Sequence, residues 1–235
     1  LENPQDSVKP IRFIKILLLL KTINFTGVMK ITYCSSLTAE RIRQCAKEEF
    51  LAKGYQKANL RDIAKKARVT TGALYRHFKN KEDLFYVVVK EVYENTILLL
   101  KSTDETTDIR ERMKENTFEK GLKRMRPFLD FIYRNMDEFK LLLLQAEGSG
   151  KEDFMERLVD VYTECNMDFI MRAYEAKIAK IMPGKLSVHC LTNGFLTAVF
   201  EVVIHDISRE DSEKYFEDIG SFQFYGWNGL LGIEI

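Results

Sequence analysis

An all-α fold, with a three-helix helix-turn-helix unit joined through a long fourth helix to a larger helical body, is what the amino-acid sequence predicts from three observations. Apolar residues recur at three- and four-residue spacing from Thr38 almost to the end, the pattern of helices that bury one face. Glycine, proline and N-capping residues interrupt that pattern at helix-length intervals. Alternation of apolar and polar residues, the mark of a half-buried strand, is absent, as are internal repeats and low-complexity segments.

Each helix follows from a local signal. Ala39, Ile42, Ala46 and Phe50 give the first helix its apolar face, and Gly54 stops it. Asn59 caps "LRDIAKKA", where Leu60, Ile63, Ala64 and Ala67 share a face of a second helix about two turns long. After a turn at Arg68 and Val69, Thr70 caps a third helix within "VTTGALYRHF", and Leu74 and Phe78, four residues apart, point to the same core. Lys79 to Lys81 break the pattern before "KEDLFYVVVKEVYENTILLL" starts the long fourth helix. A polar stretch at 102–108 follows. Helical spacing then returns in "FEKGLKRMRPFLDFIYRN", in "DEFKLLLLQAE" and over 152–181, with "GSG" at 148–150 and "PG" at 183–184 as separators. Two last helices are predicted over 186–207 and 212–231.

Charge divides the chain. The formal net charge is only +1, yet residues 37–90 hold 13 Lys and Arg against 6 Asp and Glu, a net of +7, while residues 91–235 carry −9. An anion-binding module attached to a body with another job fits this asymmetry. Cys34, Cys45, Cys165 and Cys190 lie far apart with no metal-ligand spacing, which predicts reduced thiols in a cytoplasmic protein and no metal site. The opening "IRFIKILLLLKTINF" is broken by charges, too short to span a membrane, and lacks a small-residue cleavage site. Residues 1–36 read as a packing arm or, preferentially, as sequence ahead of a start at Met29. No membrane association is expected.

Two short helices joined by a tight turn and covered by a longer one form a helix-turn-helix, whose second helix enters the major groove of double-stranded DNA. With Leu74 and Phe78 inward, the rest of the third helix faces the groove or its walls. Gly72 lets the nucleic-acid backbone or a base edge approach closely. Arg76 can fork onto guanine, Thr71 and Ala73 can meet thymine methyls, and Tyr75 and His77 can hydrogen-bond phosphates.

Residues 41–85, "RIRQCAKEEFLAKGYQKANLRDIAKKARVTTGALYRHFKNKEDLF", resemble the tetracycline-repressor (TetR) family of bacterial transcription regulators. Helix lengths, turn positions and the string G-x-L-Y-x-H-F-x-x-K-E-x-L match in order. The resemblance implies operator contacts from Thr70, Thr71, Gly72, Tyr75, His77 and Lys81, the last gripping phosphate at the start of the fourth helix. Arg68 departs from the family pattern, which has glycine in the turn. If φ is positive there, arginine costs about 1 kcal/mol relative to glycine.

For the body the resemblance is to the family's layout: a divergent helical bundle that binds a small-molecule effector and forms a homodimer through its last two helices. The domains expected are therefore 37–85 for DNA binding and 86–235 for ligand binding and dimerisation, with control exerted through helix four. The 186–207 segment is apolar nearly all round and predicts cover on more than one side. Gly220, Gly226 and Gly229 offer close approach to a partner subunit. His189, Asn193, Thr197, Glu201 and His205 recur every four residues and form a winding polar stripe. Effector-binding candidates are Phe128, Phe131, Ile132, Tyr162, Cys165, Asn166, Phe169 and Asn193, with Phe131, Tyr162, Asn166 and Phe169 bordering an internal cavity. Catalytic residues and a cofactor are not implied: no nucleophile–base pair, paired carboxylates or phosphate-cradling glycine loop is present. The function expected is a ligand-responsive repressor; the alternative is a DNA-binding regulator whose body docks a protein partner.

Overall fold

The computed structural model describes residues 32–102, 108–114 and 117–234, with side chains described except at 32–36, 102, 112 and 114. The reading of residues 1–31 as arm or extension lies outside these, as does the side chain of Cys34. By its contacts the chain divides at Thr38, and Ala39–Ile235 packs as a unit of its own.

Ten helices and no strand occur among the described residues. They are α1 (Thr32–Lys57), α2 (Leu60–Lys66), α3 (Thr71–His77), α4 (Lys81–Ser102), α5 (Ile109–Lys114), α6 (Phe118–Arg134), α7 (Met136–Leu144), α8 (Phe154–Glu175), α9 (Lys185–Ile204) and α10 (Arg209–Leu231). The helix-turn-helix is α1 to α3. In the body α8 lies between α4 and α9, α7 packs on α4 and α9, and α10 packs on α6 and α9.

One hydrophobic cluster runs from Ile42 and Phe50 through Leu84, Phe85 and Val92 of α4 to Phe139, Phe154, Phe200 and Phe216. The packing therefore continues across residue 85, the expected domain boundary. A smaller cluster joins Ile170, Ala173, Ala179, Val188 and Leu231, with Phe169 and Trp227 against it.

Several helix ends differ from the expected ones for local reasons. α8 stops at Glu175 rather than near 181, because Lys177 takes the left-handed conformation (φ 61°) and Ile178 N–H donates back to the Ala173 carbonyl at 2.9 Å. α9 stops at Ile204 rather than 207 in the same way, with Asp206 at φ 54° and Ile207 N–H donating to Val202 at 3.1 Å. α10 starts at Arg209, three residues before the expected 212. Ser208 caps it, its Oγ accepting from Asp211 N–H at 3.1 Å, a Ser-x-x-Asp signal legible in the sequence. The short α5 was not expected.

The expectation that Gly220 serves a partner subunit needs correction. A Cβ built there would lie 2.6 Å from Leu122 Cδ2, so Gly220 allows α10 to approach α6 within the protomer, whereas Gly226 and Gly229 face open space.

Candidate nucleic-acid interface

The helix-turn-helix is assembled around an aromatic trio. Phe50 meets Phe85 edge-on at 5.1 Å and stacks near Tyr55 at 6.0 Å, and Tyr55 meets Phe85 at 5.2 Å. Leu74 and Phe78 are buried beside Ile63, Ala64 and Ala67, so the sequence-predicted inner face is the observed one. Charge adds a second tie between α1 and α2. Glu49 is fully buried and bridges Lys53 at 2.5 Å and Lys66 at 2.7 Å, while Lys53 also reaches Asp62 at 3.2 Å. Burial pushes the Glu49 carboxyl up, but hydrogen bonds and charge from Lys53 and Lys66 outweigh it and hold the group below the ordinary 4.5. Lys66 is thereby committed within the fold. Glu49 had no signal in the sequence beyond its helical register.

The α2–α3 turn explains how α3 is aimed. Arg68 has φ 53°, Val69 N–H donates to the Ala64 carbonyl at 3.0 Å, and Arg68 N–H donates to Lys65 at 3.1 Å. This pair of bonds closes the helix end in the manner that usually employs glycine. Arg41 Nε donates to the Ala67 carbonyl at 2.8 Å and seals the same turn from α1. Thr70 then caps α3, its Oγ1 accepting from Ala73 N–H at 3.1 Å.

Thr70, Gly72, Tyr75 and Arg76 are exposed, Tyr75 by 51%, and Thr71, Ala73 and His77 are half-buried. Together they form the outward surface of α3. A Cβ at Gly72 would meet nothing within 4 Å, and its φ is not positive, so nothing within the chain requires glycine there. Lys81 sits differently. Its ammonium donates to the Gln56 carbonyl at 2.9 Å and lies 4.7 Å from the Tyr55 ring centroid, and burial pushes its pKa below the usual 10.5. In this structure it closes the end of α1 instead of projecting with Arg76. Asn80 caps α4 beside it, accepting from Asp83 N–H at 2.7 Å, while Asp83 accepts from Lys79 N–H at 2.9 Å.

Residues 42–88 match the family model of bacterial regulatory proteins of the tetR family. The N-terminal domain is that of the tetR family. It is 22% identical over 191 residues to an HTH-type transcriptional regulator of Staphylococcus aureus, covering 73% of this chain and 95% of that one. It is 42% identical over 62 residues to the transposon Tn10 TetC protein of Escherichia coli, a match covering 26% of this chain and 28% of TetC. Among solved structures, NalD, the secondary repressor of the MexAB-OprM multidrug efflux pump in Pseudomonas aeruginosa, superposes with TM-score 0.59 at 20% identity, covering 83% of this chain and 97% of NalD. FadR of Bacillus subtilis in complex with stearoyl-CoA superposes with TM-score 0.55 at 17% identity, covering 80% and 98%. The protein is thus a tetR-family DNA-binding transcriptional regulator, a family of regulators and not of enzymes.

In the body, the sequence-predicted effector residues do not converge on one point. Phe131 and Ile132 are buried in the main cluster, where Phe131 meets Phe139 edge-on at 5.8 Å and Phe128 meets Phe200 at 6.3 Å. Phe169 packs in the other cluster. Tyr162, Cys165 and Asn166 are half-buried on α8, with Tyr162 6.1 Å from Phe195 of α9. Asn193 is exposed. The α9 residue turned toward α8 is its neighbour Thr192, whose Oγ1 accepts from Asn166 Nδ2 at 3.0 Å, because Thr192 and not Asn193 continues the buried register of Val188 and Leu196. Thr163, which sequence reasoning passed over, is buried with no hydrogen-bond partner for its hydroxyl among the described residues. The polar stripe lies on the outward side of α9, where His205 Nε2 is 2.8 Å from Glu201. A separate open depression of about 550 Å³ is lined by Tyr174, Glu175, Lys177, Ala179 and Lys180.

Proposed function

We propose that this protein is a cytoplasmic, homodimeric repressor that leaves its operator when a small molecule binds the body. The observation that carries the DNA-reading half is the outward face of α3, where Gly72, Tyr75 and Arg76 stand exposed above a fixed core. Thr70, Thr71, Ala73 and His77 flank them, and Lys81 completes the surface once its ammonium turns from Gln56 to phosphate. The DNA-binding module ends near residue 85 in this reading, and 86–235 receives effector and partner subunit.

Exposed apolar side chains on the last two helices support the dimer: Leu186 is 76% exposed, Leu191 41%, Ile204 40%, Phe222 71% and Tyr225 54%. Such a surface asks for a partner, and paired recognition helices must reach successive grooves about 34 Å apart. The solved relatives named above include one holding stearoyl-CoA and one that represses an efflux pump. In this reading the effector is apolar, and the buried Thr163 hydroxyl, which has no hydrogen-bond partner among the described residues, offers it a neutral hydrogen-bonding group one helical turn from Asn166. Release requires the effector to prefer a conformation whose recognition helices no longer match the groove spacing.

The test selects duplexes from a random pool with the wild-type protein and measures binding by titration. Gly72→Ala is expected to leave the melting temperature unchanged or raised, since α3 gains helix propensity, and to weaken DNA binding at least tenfold. Arg76→Ala should relax preference at one base-pair position. Full DNA affinity in both variants sinks the assignment of this face.

A further inference from the structure

α1 is interrupted at Gly54, whose φ of 71° and ψ of 165° take the chain out of the helix. In an unbroken helix Tyr55 N–H would donate to the Leu51 carbonyl four residues back. The interruption releases both groups, and one residue of the body takes both. Gln145, directly after α7, accepts from Tyr55 N–H through its backbone oxygen at 3.0 Å and donates from Nε2 to the Leu51 oxygen at 3.2 Å. A carbonyl partner fixes which end of the amide faces it. The side-chain oxygen of Gln145 is therefore turned to the other side, where it is buried with no hydrogen-bond partner among the described residues.

Other contacts surround this joint without sharing its geometry. Lys47 pairs with Asp137 at 3.0 Å and Glu138 at 2.8 Å. Lys151 Nζ lies 5.1 Å from the Tyr86 ring, and a Cβ on Gly150 would lie 3.1 Å from Glu82 Oε1. Ion pairs at a surface tolerate angular change and weaken with salt. Two hydrogen bonds to backbone groups on either side of a helix break do not slide.

We propose that Gln145 is a positioning residue for DNA recognition: by bridging the Gly54 break it sets the angle at which the helix-turn-helix sits on the body, and hence the separation of the two recognition helices in the dimer. The proposal rests on the dimeric DNA-binding reading above. Its unpartnered amide oxygen makes the bridge the least satisfied contact of the joint, so it yields before the ion pairs do.

Gln145→Met keeps length and apolar packing and removes the amide. Lys47→Met removes the ion pairs and serves as the comparison. Two readouts apply: hydrogen-exchange protection of the Tyr55 amide, and the affinity ratio between a duplex selected by the wild-type protein and the same duplex with its half-sites moved by one or two base pairs. Gln145→Met keeps the backbone carbonyl that Tyr55 N–H uses but frees the Leu51 side of the break, so by letting the joint open it should lower Tyr55 protection and spacing discrimination each by about tenfold while the protein remains a folded dimer. Lys47→Met should leave both near wild type. In Gln145→Glu the protection should return at pH 5 and be lost at pH 8, because only the protonated acid donates to Leu51; this readout holds even where Gln145→Met proves unstable. Unchanged protection and discrimination in Gln145→Met, an equal loss in Lys47→Met, or pH-independent protection in Gln145→Glu overturns the proposal. A wild-type protein that selects no duplex defeats the DNA-binding reading instead, while the exchange measurements still judge the bridge.

Discussion

The helix-turn-helix and the body are built from the same helical pattern but held under different constraints. Around α1 to α3 specific contacts fix the packing: Phe50, Tyr55 and Phe85 interlock, Glu49 ties two lysines, and Thr70, Asn59 and Asn80 each cap a helix. In the body the buried residues fall into two clusters, and the Thr163 hydroxyl has no hydrogen-bond partner among the described residues. A surface that must match DNA admits few sequences. On the function proposed above, an interior that accepts an effector needs only to be apolar, adjustable and sparsely polar.

The sharpest way to break this comparison is to cut the core on both sides. Phe50→Ala removes a fully buried ring and is expected to cost about 3–5 kcal/mol in urea unfolding. Phe169→Ala, on the partly buried edge of the second cluster, should cost about 1–2 kcal/mol. Equal losses would show that the two regions are packed alike.

A second test lies within α10. Gly220→Val forces side-chain atoms onto Leu122, which a Cβ alone would already approach to 2.6 Å, and overpacking of this kind costs about 1–3 kcal/mol. Gly226→Val meets open space in the protomer. It should leave protomer unfolding nearly unchanged yet weaken the dimer in sedimentation analysis if α10 is the interface. A dimer indifferent to Gly226→Val moves the interface elsewhere.

Acid should reach the helix-turn-helix first. The Glu49 carboxyl is held below its unfolded value, so its contribution is complete above about pH 4.5 and disappears as pH falls through the lower folded value. The effect is moderate, because Lys53 and Lys66 are themselves 42% and 47% exposed and return to water when released. Stability followed from pH 6 to 3 should fall less steeply in Glu49→Gln than in the wild-type protein. Parallel curves would remove Glu49 from the account.

What could be read from the sequence follows the same division. The caps Asn59, Thr70 and the stop at Gly54 were visible because these residue types have few other uses. Two helix ends in the body gave no such sign. α2, α8 and α9 all close through a left-handed residue, and at Arg68 the turn was legible, but in the body the residues are Lys177 and Asp206, and a lysine in an amphipathic run looks like more helix. That is why the helical pattern over 152–181 and 186–207 runs past the observed ends at Glu175 and Ile204. The effector candidates failed to converge for a different reason. Helical spacing tells which residues turn inward on one helix and not which helix they will meet, so Phe131 and Phe169 entered separate clusters and Thr192 took the place given to Asn193.

Arg68 isolates the smallest of these effects. Its φ of 53° places Cβ against the following carbonyl, a strain of about 1 kcal/mol that glycine does not bear. Glycine also loses more freedom on folding, so Arg68→Gly should stabilise the protein by somewhat less than 1 kcal/mol, read as a small rise in urea midpoint with unchanged slope. The same substitution removes an exposed cation from the turn that leads into α3. If that cation offsets its strain by contacting phosphate, DNA affinity should fall and the slope of log affinity against log salt should decrease by about one unit. A more stable protein with unchanged salt slope would mean that the arginine serves neither the fold nor DNA. A less stable one would mean that Arg68 makes a stabilising contact that its exposed position conceals.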